Sequence, residues 1–184
     1  NDFSIIAPLC QDDNFYNLKI LKKRKKTSKN TLPFKVDYVD GFAMLINKSK
    51  FKENIYFDEN IFMYLENDDL CKRISKNFEN IFIVPRSKIN HLGAKGVSEK
   101  YNEQIELSRN WHWIWSKFYY NKKNYGFIKA MTECFPTFLS SILKFIYYSL
   151  LNNSFKKKVY LNRASGFYNA FIGKPSWYRP KIEN

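Results

Sequence analysis

Histidine and cysteine, which build most zinc centres and disulfide frameworks, are scarce in this sequence. The chain has two histidines and three cysteines in 184 residues. Cys10, Cys71 and Cys134 are widely spaced and odd in number, so they form neither a zinc pattern nor a disulfide framework, as is typical of a reducing cytoplasm. Composition also excludes a disordered chain, because 45% of the residues are hydrophobic and 18% are aromatic.

Acidic residues are outnumbered by basic ones. The chain has 31 Lys and Arg against 17 Asp and Glu, a formal net charge of +14. The densest basic run, residues 19–29, holds seven Lys or Arg in eleven positions. It has one Arg and no interleaved aromatic residue, which argues against a nucleic-acid site. The run predicts a solvated loop, and attraction to anionic lipid is the better functional alternative.

Five of the 17 carboxylates nevertheless fall within twelve positions, residues 58–69. Their mutual repulsion is offset if a cation binds or if one carboxyl group stays protonated. The apolar run 61–65 predicts a short buried strand, and apolar residues at helical spacing after it predict a helix that starts near Asp68. Carboxylates at such a junction lie where a ligand can approach a helix N-terminus. The alternative is that Asp68 simply caps the helix.

Three segments carry a resemblance to a known family. They are VDGFAMLINKSKF (39–51), FDENIFMYLENDDLCKRI (57–74) and IVPRSKINHLG (83–93), with a looser match in RASGFYNAFIGKPSWYRP (163–180). In this order they resemble the acceptor-side half of a family 2 glycosyltransferase of the GT-A fold, related to rhamnosyltransferase-like enzymes of bacterial surface-polysaccharide assembly. The resemblance implies an α/β chain in which the C-terminal half of a Rossmann-like, mixed-sheet GT-A domain is followed by a helical extension.

The resemblance implies an inverting transfer of a sugar from a nucleotide-sugar donor to a hydroxyl group of a glycan or lipid-linked acceptor. In that chemistry a carboxylate removes the hydroxyl proton, and Mn²⁺ or Mg²⁺ neutralises the departing diphosphate. The family motif reads Glu-Asp, and the position of its usual base is Asn67 here. An amide accepts no proton at neutral pH, so a neighbouring carboxylate is expected to be the base. The candidates are Asp68 first, Glu66 second, and Asp69.

The resemblance also assigns roles outside the acidic cluster. Asp40 and Gly41, in the glycine-containing segment, would bind the acceptor. His91 follows a strand predicted to end at Pro85 and would help to hold the metal or the diphosphate. Without the family, His91 would be taken as an ordinary loop residue. His112, within an aromatic run, is predicted to be structural.

The family binds its nucleotide with an N-terminal half that carries an Asp-x-Asp motif, and no such half precedes residue 1. Asp37-x-x-Asp40 has the wrong spacing for that motif. The sequence is therefore expected to be a piece of a longer protein that binds no nucleotide sugar by itself. The runner-up is a noncatalytic, basic module at a membrane surface, in which the acidic cluster only caps a helix.

The last part of the chain predicts helices. Ser98 is expected to cap a helix over 99–120, with Leu107, Trp111, Ile114 and Phe118 on one face. Gly126 is the predicted boundary between a catalytic part, residues 1–125, and a helical extension, residues 126–184.

Segment 127–151 is rich in apolar residues. From Cys134 to Phe155 the only charge is Lys144, and this length approaches the roughly 20 apolar residues that span a bilayer. Pro136 and Lys144 favour an amphipathic hairpin in the membrane interface, ahead of a buried helix pair, with a true span the least favoured. The protein is accordingly expected to be cytoplasmic and peripheral on the inner face of the cell membrane.

Overall fold

The fold is known from a computed structural model. It describes residues 2–11, 17–19, 31–51, 56–92 and 98–180. These residues contain four α-helices and a four-stranded mixed sheet, which confirms the predicted α/β class. Apart from Lys19, the basic run 19–29 lies outside the described residues.

Contacts within the chain define two units. The sheet unit comprises Asn1–Asp58 and Glu66–Ala94, and the helical unit comprises Glu59–Leu65 and Lys95–Asn184. The chain passes from the sheet unit to the helical unit after Ala94, which is earlier in the sequence than the boundary predicted at Gly126. Gly126 instead separates two helices of the same unit, with a φ angle of 91° that glycine tolerates.

In its described residues the sheet unit contains six strands and one α-helix. In chain order they are β1 (Ile5–Cys10), β2 (Leu18–Lys19), β3 (Phe34–Val36), β4 (Tyr38–Val39), β5 (Leu45–Ile46), α1 (Glu66–Lys76) and β6 (Ile81–Ile89). The main sheet has the order β3-β6-β1-β5, with β1 and β6 parallel and the outer strands antiparallel. The second sheet pairs β2 with β4. Apolar side chains of β1, β6 and α1 form the core of this unit.

Strand β6 continues beyond Pro85, where the sequence predicted its end. Pro8 pairs with Val84, but the next residue, Leu9, pairs with Lys88, so β6 carries extra residues at this point. Pro85 has no backbone N–H to donate and stands inside this bulge, which is where a proline fits a sheet. Pairing then resumes and ends at Ile89.

The strand predicted over residues 61–65 is wrong. Tyr64 and Leu65 have φ angles of 68° and 66°, in the left-handed region that an extended strand does not use. The carbonyl of Met63 accepts a hydrogen bond of 2.6 Å from the Ser116 hydroxyl instead of joining a sheet. The two left-handed residues turn the chain directly into α1.

The helix predicted after this run is confirmed, but it begins at Glu66 rather than near Asp68. Asp68 therefore lies in the first turn of α1 and does not cap it, contrary to the capping alternative. The three carboxylates of this turn, Glu66, Asp68 and Asp69, are favoured there by the helix dipole.

The helical unit contains, within residues 98–180, three long α-helices. They are α2 (Asn102–Tyr125), α3 (Phe127–Leu150) and α4 (Ser154–Phe171). Trp111, Ile114 and Phe118 are fully buried, as their spacing predicted, whereas Leu107 is only half-buried. Ser98 precedes a short 3₁₀ turn and makes no side-chain cap. In the part of the chain that the structure describes, the helices lack the length of apolar sequence that a bilayer crossing requires.

Candidate functional site

Asp40 and Asp68 come close together in the sheet unit, where the end of β4 lies against the first turn of α1. Asp40 and Gly41 follow β4 directly. The two elements are joined through the carbonyl of Val39, which is 3.2 Å from the Asn67 amide nitrogen and 3.8 Å from the Cys71 thiol. A Cβ atom on Gly41 would make only ordinary contact with Asn67, so packing does not require glycine there.

Asn67 is buried and donates hydrogen bonds to three oxygen atoms. Its Nδ2 atom is 2.6 Å from the Tyr38 hydroxyl, 3.2 Å from the Val39 carbonyl and 3.4 Å from Asp40 Oδ1. A carboxylate at position 67 would face the same three oxygens, and only the Tyr38 hydroxyl carries a proton to donate to it. The amide therefore suits this position better than a carboxylate would.

Tyr38 completes the arrangement around Asp40. Its hydroxyl donates to Asp40 Oδ1 over 2.5 Å while it accepts from Asn67. Burial, together with its hydrogen bond to the Asp40 carboxylate, raises the pKa of Tyr38 well above its usual range, so the phenol stays protonated. Asp40 is thus an ionisable group held in place by two donors.

Asp68 points to a more open environment. Its side chain is 20% exposed, and its Oδ1 atom is 3.8 Å from the Lys19 ammonium group, which also lies 4.4 Å from the centre of the Tyr38 ring. Burial raises the pKa of Asp68, and the Asp40 charge adds to this effect while Lys19 opposes it. A carboxylate that is less acidic than usual and still reached by solvent is suited to accept a proton.

The other two candidate bases differ from Asp68. Asp69 is fully buried, and its Oδ2 atom accepts a hydrogen bond of 3.1 Å from Arg73 Nε. Arg73 also donates to the Tyr56 carbonyl, so this pair anchors the loop before α1 and is closed to a substrate. Glu66 is half-buried, and its Oε2 atom has no hydrogen-bond partner within the described residues. Glu66 therefore stays the second candidate and Asp69 becomes the least suited.

His91 lies just after β6 and is exposed. Its ring stacks on Phe42, with ring centres 4.4 Å apart and an angle of 9° between the planes. Phe42 follows Gly41, so this stack places His91 beside the turn that carries Asp40. Across residues 2–11, 17–19, 31–51, 56–92 and 98–180, no three His, Cys, Asp or Glu side chains group as a metal centre would require. The described side chains do not fit a metal held by protein ligands alone, and Mn²⁺ or Mg²⁺ stays a prediction.

His112, the second histidine, has structural contacts. Its ring nitrogens are 2.9 Å from the Ser176 hydroxyl and 2.8 Å from the Tyr178 carbonyl, and its side chain is fully buried. Burial lowers its pKa, so the imidazole is neutral at pH 7. These hydrogen bonds tie the C-terminal segment to α2.

Two residues of the site were missed by reasoning from the sequence. Tyr38 stands two positions before Asp40 and so points to the same side of an extended segment, a signal that could have been used. In the sequence Lys19 is only the first residue of a basic run, and nothing there indicates a contact with Asp68. The pairing of β2 with β4 brings the two residues together. No family model, curated protein or solved structure matches the chain.

Replacement of Asn67 by aspartate tests the proposed fit of the amide. We expect Asn67→Asp to lower the free energy of unfolding by about 1–3 kcal/mol at pH 7, because a buried carboxylate would face Asp40 and the Val39 carbonyl. The introduced carboxyl group would have a raised pKa in the folded state, so its destabilisation should fade as the pH falls towards about 4. Urea unfolding followed by circular dichroism at pH 7 and pH 4 measures both effects.

Asn102→Asp is the matched control, because it makes the same change at an exposed position. It should leave stability within about 0.5 kcal/mol of the parent at both pH values. Equal stability of Asn67→Asp and the parent at pH 7 would show that the position accepts a carboxylate.

Proposed function

We propose that this chain is the acceptor-side part of an inverting glycosyltransferase in which Asp68 is the general base. The observation that carries the proposal is the state of Asp68, which is partly exposed, has a raised pKa and lies beside Lys19. Further support comes from the mixed sheet and from the meeting of the DGF turn with the acidic cluster at α1. The GT-A fold and the donor-binding half are part of the same proposal and rest on the sequence resemblance.

In the proposed reaction the acceptor hydroxyl attacks the anomeric carbon of the donor sugar. The new bond joins that hydroxyl oxygen to the carbon, the bond from the carbon to the diphosphate oxygen breaks, and the hydroxyl proton passes to the Asp68 carboxylate. The leaving group is the nucleoside diphosphate. A divalent metal, when bound, would neutralise the charge on that leaving group.

The neighbours of Asp68 have separate tasks in this proposal. Lys19 favours the ionised carboxylate that must receive the proton. Tyr38 and Asn67 fix Asp40, whose oxygen atoms would accept hydrogen bonds from acceptor hydroxyl groups beside Gly41. His91 stacks on Phe42 and therefore lies beside the turn that carries Asp40.

The pH dependence of transfer tests the assignment. A base works in its deprotonated form, so kcat/KM should fall as the pH drops through the raised pKa of Asp68, above the ordinary Asp value of about 3.9. Asp68→Asn should remove this acidic limb from the residual rate. The measurement is release of nucleoside diphosphate by the complete gene product, with a panel of nucleotide sugars and with glycan and lipid-linked acceptors.

The outcomes separate the parts of the proposal. An acidic limb that persists unchanged in Asp68→Asn would assign the base to another group, with Glu66→Gln as the next variant. Absence of acceptor-dependent diphosphate release with every donor would overturn the glycosyltransferase function itself.

A further inference from the structure

Helix α3 exposes an apolar stripe along its whole length. The exposed fractions range from 39% at Phe135 to 79% at Ile128. Successive members are seven, four, four, three and four positions apart, which places them on one side of the helix. The stripe consists of Ile128, Phe135, Leu139, Leu143, Ile146 and Leu150. The opposite side carries the buried residues Ala130, Cys134 and Ser141 and packs within the helical unit.

The charged residues of α3 lie off this stripe. Lys129 and Glu133 form an ion pair with 2.6 Å between Nζ and Oε1, and Lys117 of α2 also pairs with Glu133 at 3.4 Å. Lys144 extends towards α4, where its Nζ atom is 5.3 Å from the centre of the Tyr160 ring. The apolar stripe is therefore uninterrupted by charge, although the sequence of α3 contains three charged residues.

A cluster of cations and aromatic rings connects α3 with α4. The rings of Tyr148 and Tyr160 stack with 5.5 Å between centres and an angle of 3°. Lys156 lies 5.1 Å from the Tyr148 ring centre, and Arg163 lies 5.4 Å from that of Tyr160, on the ring that Lys144 also approaches. Tyrosine rings with adjacent cations are typical of surfaces that meet lipid headgroups.

The charge of residues 127–180 is strongly one-sided. Glu133 is the one acidic residue of this segment, and it is already paired with lysines. The basic residues are Lys129, Lys144, Lys156, Lys157, Lys158, Arg163, Lys174 and Arg179. Three of them, Lys156 to Lys158, are exposed and follow the turn at which the apolar stripe ends with Leu150. An exposed apolar surface in a segment with an excess of exposed positive charge fits an anionic partner.

We propose that the α3 stripe and the basic cluster at residues 156–158 together bind the surface of an anionic lipid bilayer, with α3 lying in the plane of the interface. A helix with one apolar side and flanking cations binds a membrane by burying that side while the cations meet headgroups. The absence of a spanning helix from the described residues accords with this orientation. A second copy of the chain is a poorer occupant, since it brings another +14 net charge rather than a complementary one. The proposal is independent of glycosyl transfer.

Vesicle flotation of the 184-residue chain tests the apolar part. We expect the chain to float with vesicles of phosphatidylcholine and phosphatidylglycerol, and to bind pure phosphatidylcholine vesicles much more weakly. Leu143→Glu/Ile146→Glu should reduce the membrane partition coefficient about tenfold or more. Two apolar side chains that would be buried in the bilayer are lost, and two negative charges are added. Leu32→Glu/Phe78→Glu makes the same kind of change at exposed apolar positions of the sheet unit and should bind like the parent.

A lysine variant tests the basic part. Lys156→Gln/Lys157→Gln/Lys158→Gln should weaken binding about tenfold at low salt, and the parent itself should be released as salt rises. Lys76→Gln/Lys88→Gln/Lys122→Gln removes the same number of exposed charges elsewhere and should have a much smaller effect. Equal losses from the two triple variants would mean that net charge alone drives binding, which overturns the proposed site.

Two further measurements complete the test. Circular dichroism must show an unchanged helix signal in each variant, and the single variant Leu139→Asn replaces any double variant that fails to fold. Analytical ultracentrifugation without lipid identifies the competing occupant. A dimer that Leu143→Glu/Ile146→Glu dissociates, in a chain that does not float with anionic vesicles, would assign the stripe to a second copy and refute the membrane proposal.

Discussion

Replacement of Asp68 by asparagine is expected to lower kcat by about 10²–10⁴-fold in the complete gene product, with little change in donor affinity. The amide keeps the size of the carboxylate but accepts no proton, so the loss falls on the step in which the acceptor hydroxyl is deprotonated. Steady-state kinetics for kcat and calorimetry for the donor dissociation constant measure the two quantities separately.

The folded state of this variant should be intact. Burial raises the pKa of Asp68, so ionisation of its carboxyl group is less favourable in the folded chain than in the unfolded chain. The resulting cost to stability is present above the folded pKa and disappears when the group is protonated at low pH. Asparagine cannot ionise, and Asp68→Asn should therefore unfold at the same temperature as the parent or slightly higher at pH 7. A lost activity with a retained melting temperature is the expected signature of a chemical role.

Two companion variants distinguish Asp68 from its neighbours. Asp69→Asn removes the charge that faces Arg73, so it should lower stability while a folded fraction keeps its transfer rate. Glu66→Gln should have a smaller effect on kcat than Asp68→Asn. If Asp68→Asn transfers sugar at the parent rate while Glu66→Gln is inactive, the base is Glu66. If both are active, the acidic cluster has a structural role.

Several elements of the fold could be predicted from local sequence. The apolar run near the start of the sequence that forms β1 (Ile5–Cys10), the run before Pro85 that forms the first part of β6, and the broad apolar face of α2 each follow a clear period or β-branched composition. The run 61–65 could not be assigned in this way, because a short apolar segment has the same composition in a strand and in a turn. Its conformation depends on the left-handed residues Tyr64 and Leu65, and no glycine signals them.

The composition of the candidate site was predictable, but its pairings were not. The sequence alone identified Asp40, Asp68 and Asn67 as residues of interest. It could not show that the Asn67 amide donates to Asp40, because these residues are 27 positions apart and are brought together by the packing of α1 on β4. Asp69 and Arg73, by contrast, are four positions apart on α1, so helical spacing alone allows their pairing. What requires the folded chain is the complete burial of the Asp69 side chain, which the sequence does not show.

Replacement of Gly166 by alanine is expected to destabilise the helical unit severely. A Cβ atom at this position of α4 would lie 2.3 Å from the Trp111 carbonyl oxygen and 2.8 Å from Ile114 Cγ2, both on α2. Alanine is favoured over glycine within a helix by about 1 kcal/mol, so propensity alone predicts a more stable variant. Overpacking costs about 1–3 kcal/mol when side chains can adjust, and more when they cannot. The nearest atom here belongs to the backbone, which no rotamer change can move, and α2 and α4 must separate.

We therefore expect Gly166→Ala to lower the free energy of unfolding by about 2 kcal/mol or more, because the steric cost exceeds the gain in propensity. The four tryptophans of the chain, Trp111, Trp113, Trp115 and Trp177, all belong to the helical unit, so tryptophan fluorescence during urea unfolding reports this unit specifically. Asn162→Ala, on the same helix, is the control, because it removes only a hydrogen bond to the Lys158 carbonyl and should change stability by less than about 1 kcal/mol. A Gly166→Ala variant as stable as the parent would contradict the close approach of α2 and α4, since the steric cost would then not exceed the gain in propensity.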